Sequence, residues 1–192
     1  MSDLETRLAD IVRADPGLMH VLTTVRGLGR NDWRVFAGAV YQSVWNAVTG
    51  RPAGYGIRDY DLGYFELDVS WDAEDAVIKR VAAAFEPPFR DMVEVRNQAR
   101  VHLWFEDKFG EPYEALTGTD EALARFVAPA FAVGVRLEDD DTISVAAPFG
   151  LEDVFGMVLR SNPNRPLARG WTRAVTNATA RWPEVTIEKV VA

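Results

Sequence analysis

Cysteine is absent from this chain, and histidine occurs only twice, as His20 and His102. The first absence excludes disulfides and thiolate metal sites and is compatible with a reducing compartment. The second leaves too few imidazoles for a histidine-rich metal centre. No apolar run approaches the roughly 20 residues that span a bilayer, so no membrane partner is expected. The opening Met1-Ser2-Asp3-Leu4-Glu5 lacks the basic and apolar regions of a secretory signal, and a cytoplasmic setting is expected. Cations are the minority: 21 Lys and Arg against 29 Asp and Glu leave a formal net charge of −8. That balance argues against general polyanion binding while leaving room for local patches. What is present is 192 residues, 48% hydrophobic and 26% charged, enough for one domain with a proper core and short for two.

Taken in order, Ser2-Asp3-Leu4-Glu5 reads as a capping box before a helix with Leu4, Leu8, Ile11 and Val12 at helical spacing. A second helix should start after Asp15 with Pro16 in its first turn and end by Gly27 and Gly29. Trp33 to Ala37 is a strand candidate, turning through Gly38-Ala39 into a helix marked by Val40, Val44 and Val48. Gly50 to Gly56 is a loop, and a strand follows Asp59. Asp72 to Phe85 reads as an amphipathic helix stopped by Pro87-Pro88, and Met92 to Arg96 as a strand. Asn97 is a plausible N-cap for a helix containing Val101, Trp104 and Phe105. Thr119 to Val127 reads as helical. Phe131 to Leu137 and Ile143 to Val145 read as a hairpin with the acidic tip Glu138-Asp139-Asp140-Asp141. Gly150 to Arg160 and Arg165 to Arg181 are expected to be helical, and Val185 to Val191 to supply a last strand. The expected class is α+β, a mixed sheet flanked by helices with a helical C-terminal part. The whole of 1–192 is expected to form one domain, with a core of about 30–147 and an extension of about 148–192.

Chemistry-bearing residues cluster in the middle of the chain. On a strand, Asp59 and Asp61 point to the same face, and two adjacent anions repel unless a cation, typically a hard divalent metal, sits between them. A turn at the mouth of a strand would also explain them. Glu94 is a lone acid between two valines in a stretch that should be buried; it is either a third metal ligand or the buried partner of Arg96. The Gly38-Ala39 turn would let backbone N–H groups approach a phosphate at a helix start, or would simply be a tight turn. Arg165, Arg169 and Arg173 recur every fourth residue and would form one cationic stripe on a helix, bordering a cleft or facing solvent.

The order strand, Gly-Ala turn, helix, Asp-x-Asp strand, helix and acid-bearing strand resembles the nucleotidyltransferase fold of the DNA polymerase beta superfamily. Gly38-Ala39-Val40, Val44-Trp45-Asn46, Arg51-Pro52, Arg58-Asp59-Tyr60-Asp61 and the long run Val93-Glu94-Val95-Arg96-Asn97-Gln98-Ala99-Arg100-Val101-His102-Leu103-Trp104 are similar to a bacterial family of nucleotidyltransferase-like proteins. Pro148-Phe149-Gly150-Leu151-Glu152-Asp153-Val154-Phe155, Arg160-Ser161-Asn162-Pro163 and Trp182-Pro183 extend the likeness over most of the chain from about Phe36. The resemblance implies transfer of a nucleoside monophosphate from a nucleoside triphosphate to an acceptor (protein, RNA or small molecule), with Mg²⁺ or Mn²⁺ as cofactor. It implies Asp59, Asp61 and Glu94 as catalytic and metal-binding acids, Glu94 also drawing the acceptor proton. Gly38, Ala39, Arg96, Arg165, Arg169 and Arg173 would bind nucleotide. Ala39 stands where many active members of the wider superfamily carry Gly or Ser. The alternative readings are a nucleotide-binding or regulatory protein that keeps the fold without turnover, and a protein partnered through the aromatic surface around Trp104.

Overall fold

The computed structural model describes residues 2–165 and 169–188. Helices α1 (Asp3–Ala14) and α2 (Pro16–Arg26) precede strand β1 (Trp33–Phe36), which runs directly into α3 (Ala37–Thr49). Then come β2 (Tyr60–Tyr64), α4 (Trp71–Ala83), the short α5 (Phe89–Met92), β3 (Val93–Asn97) and α6 (Phe105–Phe109). The chain closes with the hairpin β4 (Gly134–Leu137) and β5 (Ile143–Ala146), α7 (Glu152–Gly156), β6 (Val158–Leu159), α8 (Trp171–Arg181) and β7 (Thr186–Ile187). The main sheet has the order β3-β2-β1-β4-β5, with β2 and β3 parallel and the other pairs antiparallel. Among the described residues, no helix is long and apolar enough to cross a membrane.

Local chemistry sets the helix starts. Ser2 and Glu5 complete the capping box, with Glu5 N–H donating to Ser2 Oγ at 3.3 Å and Ser2 N–H to Glu5 Oε2 at 2.7 Å. Asp15 caps α2 by accepting from Gly17 and Leu18, each at 3.0 Å, and its second oxygen takes the Ser43 hydroxyl at 2.8 Å, tying α2 to α3. His20 packs edge-on against Phe89 at 4.7 Å, a packing role.

The period-two alternation of the strands sorts side chains to two faces. Trp33 and Val35, Tyr60, Leu62 and Tyr64, Val95, Val135 and Leu137 join the main core beneath the helices. The opposite face carries Phe36, a smaller cluster with Leu116, Ala122 and Leu123, and the polar row Asp61, Glu94 and Arg96. The Phe36 ring packs over two glycines, Gly134 directly opposite it on β4 and Gly63, two residues along β2 from its register partner Asp61. A Cβ on Gly63 would meet the ring at 2.1 Å, and one on Gly134 at 3.1 Å.

Several expected elements differ in length or kind from what the pattern suggested. The helix expected after Asn97 is a 3₁₀ stretch, Gln98–Leu103, followed by α6. Asn97 Oδ1 accepts from both Ala99 N–H and Glu66 N–H at 3.1 Å, and the segment is drawn toward Glu74, a carboxylate only 2% exposed. Glu74 pairs with Arg100 and accepts Asn97 N–H at 2.8 Å, so this buried acid on α4 is satisfied in full. Thr119–Val127 is a 3₁₀ stretch, Asp120–Arg125, pinned by Arg34 on Asp120 and by Thr119 N–H on Asp32. Phe131 leaves the strand for a 3₁₀ turn, where it packs on Tyr41 at 4.5 Å. The helix expected from Gly150 ends at Met157, whose φ of 53° turns the chain into β6, paired in parallel with β7. Of the helix expected from Arg165 to Arg181, Trp171–Arg181 is formed, and 166–168 lie outside the described residues. Of the strand expected over Val185 to Val191, Thr186–Ile187 is formed, and 189–191 lie outside the described residues.

Gly63→Ala is expected to destabilise the protein by about 2 kcal/mol, because the added methyl overlaps the Phe36 ring. In a Phe36→Leu background the same change should cost less than half as much in urea denaturation. Equal costs in both backgrounds would show that the ring is not what the methyl meets.

Candidate active site

Two features of the backbone bring the acids together. Parallel pairing of β2 with β3 sets Asp61 opposite Glu94 and Gly63 opposite Arg96. Asp59 lies just ahead of β2 and faces the start of α3. A Cβ on Gly38 would lie 3.7 Å from Asp59 Oδ1 and 3.5 Å from Gln42 Nε2. The acids therefore form a row, with Asp59 at the helix start, Asp61 in the middle and Glu94 on the neighbouring strand.

The strand-to-helix turn is built differently from the glycine turn read in the sequence. The left-handed residue is Ala37, at φ 41°, held by its N–H on the Val133 carbonyl at 2.8 Å. Gly38 has no positive φ, and a methyl there would make only ordinary contacts. Its bareness leaves backbone open in front of Asp59. No side chain caps α3, so its first-turn N–H groups are unclaimed by a cap. Ala39 is fully buried in the main core. Its methyl belongs to that core, so it offers no side-chain contact at the open surface.

Asp61 titrates abnormally. Burial, then the charges of Asp59 and of Glu94, push its carboxyl from 3.8 up to about 7, against a smaller opposing effect of Arg96. Tyr41, on α3 beneath this corner, is raised chiefly by burial, and Asp59 and Asp61 add to the rise. Glu94 corrects the expectation of a buried acid. β3 is an edge strand, the Glu94 side chain is 56% exposed, and its ion pair with Arg96 is a loose 3.9 Å between two exposed groups.

Among the described residues no three histidine, cysteine or carboxylate side chains converge as a ready-made metal centre. The donor chemistry nevertheless fits a hard divalent cation. Asp59, Asp61 and Glu94 supply oxygens only, and burial first, then the charges of Asp59 and Glu94, raises the Asp61 carboxyl against a smaller opposing effect of Arg96.

A cavity of about 410 Å³ opens on this face of the sheet. Its floor holds Phe36, Asp61, Gly63, Glu94 and Arg96, and its walls are the segments around Phe105–Tyr113 and Ala122–Val127 together with Arg165, Arg169 and Gly170. Asp59, Gly38 and Ala39 lie outside it, at the helix corner. The proposed arginine stripe is not one face of a helix. Arg165 and Arg169 precede α8 and reach the cavity wall, while Arg173 is exposed on α8 and takes no part in the lining. Arg165 is bound to Glu111 and to the Arg125 carbonyl, and Arg169 N–H donates to Glu111 at 2.9 Å. These ties, with Arg165 over the Phe105 ring at 5.5 Å, fix the C-terminal wall to the aromatic one.

Residues to which the sequence reading gave no site role complete the helix corner. Arg181, at the end of α8, donates to the Gly56 carbonyl at 2.7 Å and to Gln42 Oε1 at 3.4 Å, and its guanidinium lies over Trp182 at 4.9 Å. Trp182 donates to Asn46 Oδ1 at 3.1 Å, and Trp45 to the Val154 carbonyl at 2.9 Å. The signal was present: Gln42 lies one turn after Gly38, and Arg181 adjoins the Trp182-Pro183 pair.

The nucleotidyltransferase family matches this chain over residues 23–187, and the chain belongs to that family. A solved structure described as revealing a CCA-adding enzyme head domain superposes with a TM-score of 0.79 at 23% identity, covering 96% of each chain. A tRNA-processing enzyme in an apo form superposes with a TM-score of 0.51 at 14% identity over 88% of this chain and 45% of its own. At these identities the likeness is one of fold, and that fold is the nucleotidyltransferase fold. No curated protein matches the sequence.

The raised Asp61 predicts a pH dependence of stability. Its carboxyl titrates near 7 when folded and near 3.8 when unfolded, so the folded state binds the extra proton between those values. Stability should fall as pH rises from about 4 to about 7 and level off above, by about 2 kcal/mol at this half-buried position. Thermal melts of metal-free Asp61→Asn should lack that part of the decline and exceed the parent at pH 8. A parallel decline in both proteins would refute the assignment.

Proposed function

We propose that this protein is a divalent-metal-dependent nucleotidyltransferase that moves a nucleoside monophosphate from a nucleoside triphosphate to an acceptor hydroxyl. The observation that carries the reading is the acidic row, with Asp59 against the bare backbone of Gly38 and Asp61 in register with Glu94. Family membership and fold support nucleoside monophosphate transfer in general.

The polyphosphate would lie at the start of α3, where the N–H groups just after Ala37 have no side-chain cap and the positive helix end favours anionic oxygens. Asp59 and Asp61, joined by Glu94, would hold Mg²⁺ or Mn²⁺, which when bound supplies charge neutralisation for the triphosphate and leaving group. Glu94, exposed and facing the cavity, takes the acceptor proton. The acceptor oxygen then forms a bond to the α-phosphorus as the bond from that phosphorus to its bridging oxygen breaks, and pyrophosphate departs with the electron pair. Arg96, beside Glu94, is placed to stabilise charge on the transferring phosphoryl group. Arg165 and Arg169 organise the cavity wall, and Arg173 has no place at the site.

The reading in which the fold binds nucleotide without turnover draws support from the lack of a converged acid cluster among the described residues. Pyrophosphate release from each of the four NTPs with Mg²⁺ or Mn²⁺, across protein, RNA and small-molecule acceptors, separates the two. Asp59→Asn with Asp61→Asn should abolish metal-dependent nucleotide binding while leaving the fold intact. Glu94→Gln should lower transfer by about 100-fold or more with nucleotide binding retained. Its stability should shift by less than about 0.5 kcal/mol, because its pair with Arg96 is exposed. Unchanged metal-dependent binding in the Asp double variant sinks the proposal.

A further inference from the structure

We propose that the cavity over β2 and β3 is the acceptor site, and that the acceptor is a small planar aromatic molecule carrying an anionic group and a hydroxyl. This rests on the transfer reading of the acidic row and adds to it the chemical class of the second substrate.

The two ends of the row have different surroundings. At the Asp59 end are helix N–H groups, Gln42 and Arg181, all polar. At the Glu94 end is the cavity, which touches Asp61 and Glu94 and neither Asp59 nor Gly38. A molecule seated there meets the acid that would take the acceptor's proton and is separated from the helix start that suits a triphosphate.

The walls define what that molecule is. Trp104, Phe105, Phe109 and Tyr113 line the cavity without being buried, and Phe109 is 44% exposed. Phe105 is the hub of the group, with Tyr113 at 4.5 Å and Phe109 at 4.7 Å between ring centroids. Partly exposed rings gathered around a cavity offer faces on which another flat ring can stack. Arginines stand among them, with Arg125 over Tyr113 at 5.7 Å and Arg165 over Phe105 at 5.5 Å. Arg165 is engaged by Glu111, whose other oxygen takes Arg169 N–H. Arg125 pairs with Glu114, itself 83% exposed, a partner that an incoming anion can displace. The positive charge is thus local, at the rim of an apolar cavity in a chain of net charge −8. A polymeric acceptor needs a cationic track beyond the cavity for its other phosphates. A single ring with one anionic group needs only these residues.

The test uses the full chain and calorimetric titration. The probes are 5′-AMP, 5′-CMP and 4-hydroxybenzoate, with ring-free ribose 5-phosphate and acetate as controls and α,β-methylene ATP as the donor analogue. At least one aromatic anion should bind saturably and at least tenfold more tightly than its ring-free counterpart. Phe105→Leu and Arg125→Gln should each weaken it at least tenfold while leaving methylene-ATP affinity within twofold. The Arg125 variant lies at the rim, so it reports even if the Phe105 variant misfolds. No saturable binding of any aromatic probe, or equal binding of the ring-free controls, overturns the proposal. So does a single-stranded RNA that binds more tightly than the mononucleotides with a steep salt dependence. Direct competition between aromatic probe and methylene ATP, with both weakened alike in the variants, would place the donor base in the cavity. That result overturns the acceptor assignment and leaves the nucleotidyltransferase reading standing. Failure of that reading shows separately, as Mg²⁺-dependent methylene-ATP binding that survives Asp59→Asn with Asp61→Asn.

Discussion

Parallel pairing of β2 with β3 is the constraint on which the rest of the molecule turns. It sets Asp61 beside Glu94 and Gly63 beside Arg96, and because strand side chains alternate, it commits the intervening Leu62 and Val95 to the opposite, apolar face. A slip of one residue would drive the acids into the core and expose the aliphatic row. Register is held from beneath by the helices and at one end by Asn97, which ties β3 to the chain after β2 through Glu66 and receives Glu74 at its backbone. The buried Glu74–Arg100 pair is therefore part of the machinery that positions the site, although it lies outside the cavity.

Charge is distributed unevenly across the sheet. The helix-covered face is apolar and densely aromatic, with Trp33, Trp45 and Trp182 essentially inaccessible. The open face sets like charges side by side, and burial together with the charges of Asp59 and Glu94 raises the proton affinity of Asp61. The wall across the cavity carries ring faces together with Arg125, Arg165 and Glu111, and the floor carries Asp61 and Glu94 beside Phe36 and Arg96.

Short-range signals were legible wherever the physics is local. Ser2 with Glu5, Asp15 before Pro16, Gly50 in its left-handed cap and the β4–β5 hairpin all follow from side chains acting on backbone a few residues away. Segments answering to distant partners were misjudged in length or kind: Gln98–Leu103 and Asp120–Arg125. The spacing of Arg165, Arg169 and Arg173 suggested a helical stripe, but Glu111 holds the first two on a wall before the helix begins.

The sequence by itself determined the order of elements, the two-faced character of the strands and the acids that belong to one region, because alternation and capping are properties of neighbouring residues. Tertiary structure alone decided that Glu94 is exposed on an edge strand and that Ala37 carries the strained turn in front of Gly38. It also decided that Ala39 turns its methyl into the core, and that residues from three separate segments enclose one cavity. Each of these depends on which strand lies at the edge and on how far each chain segment must reach to meet its partner. Those distances exist only once the sheet is assembled.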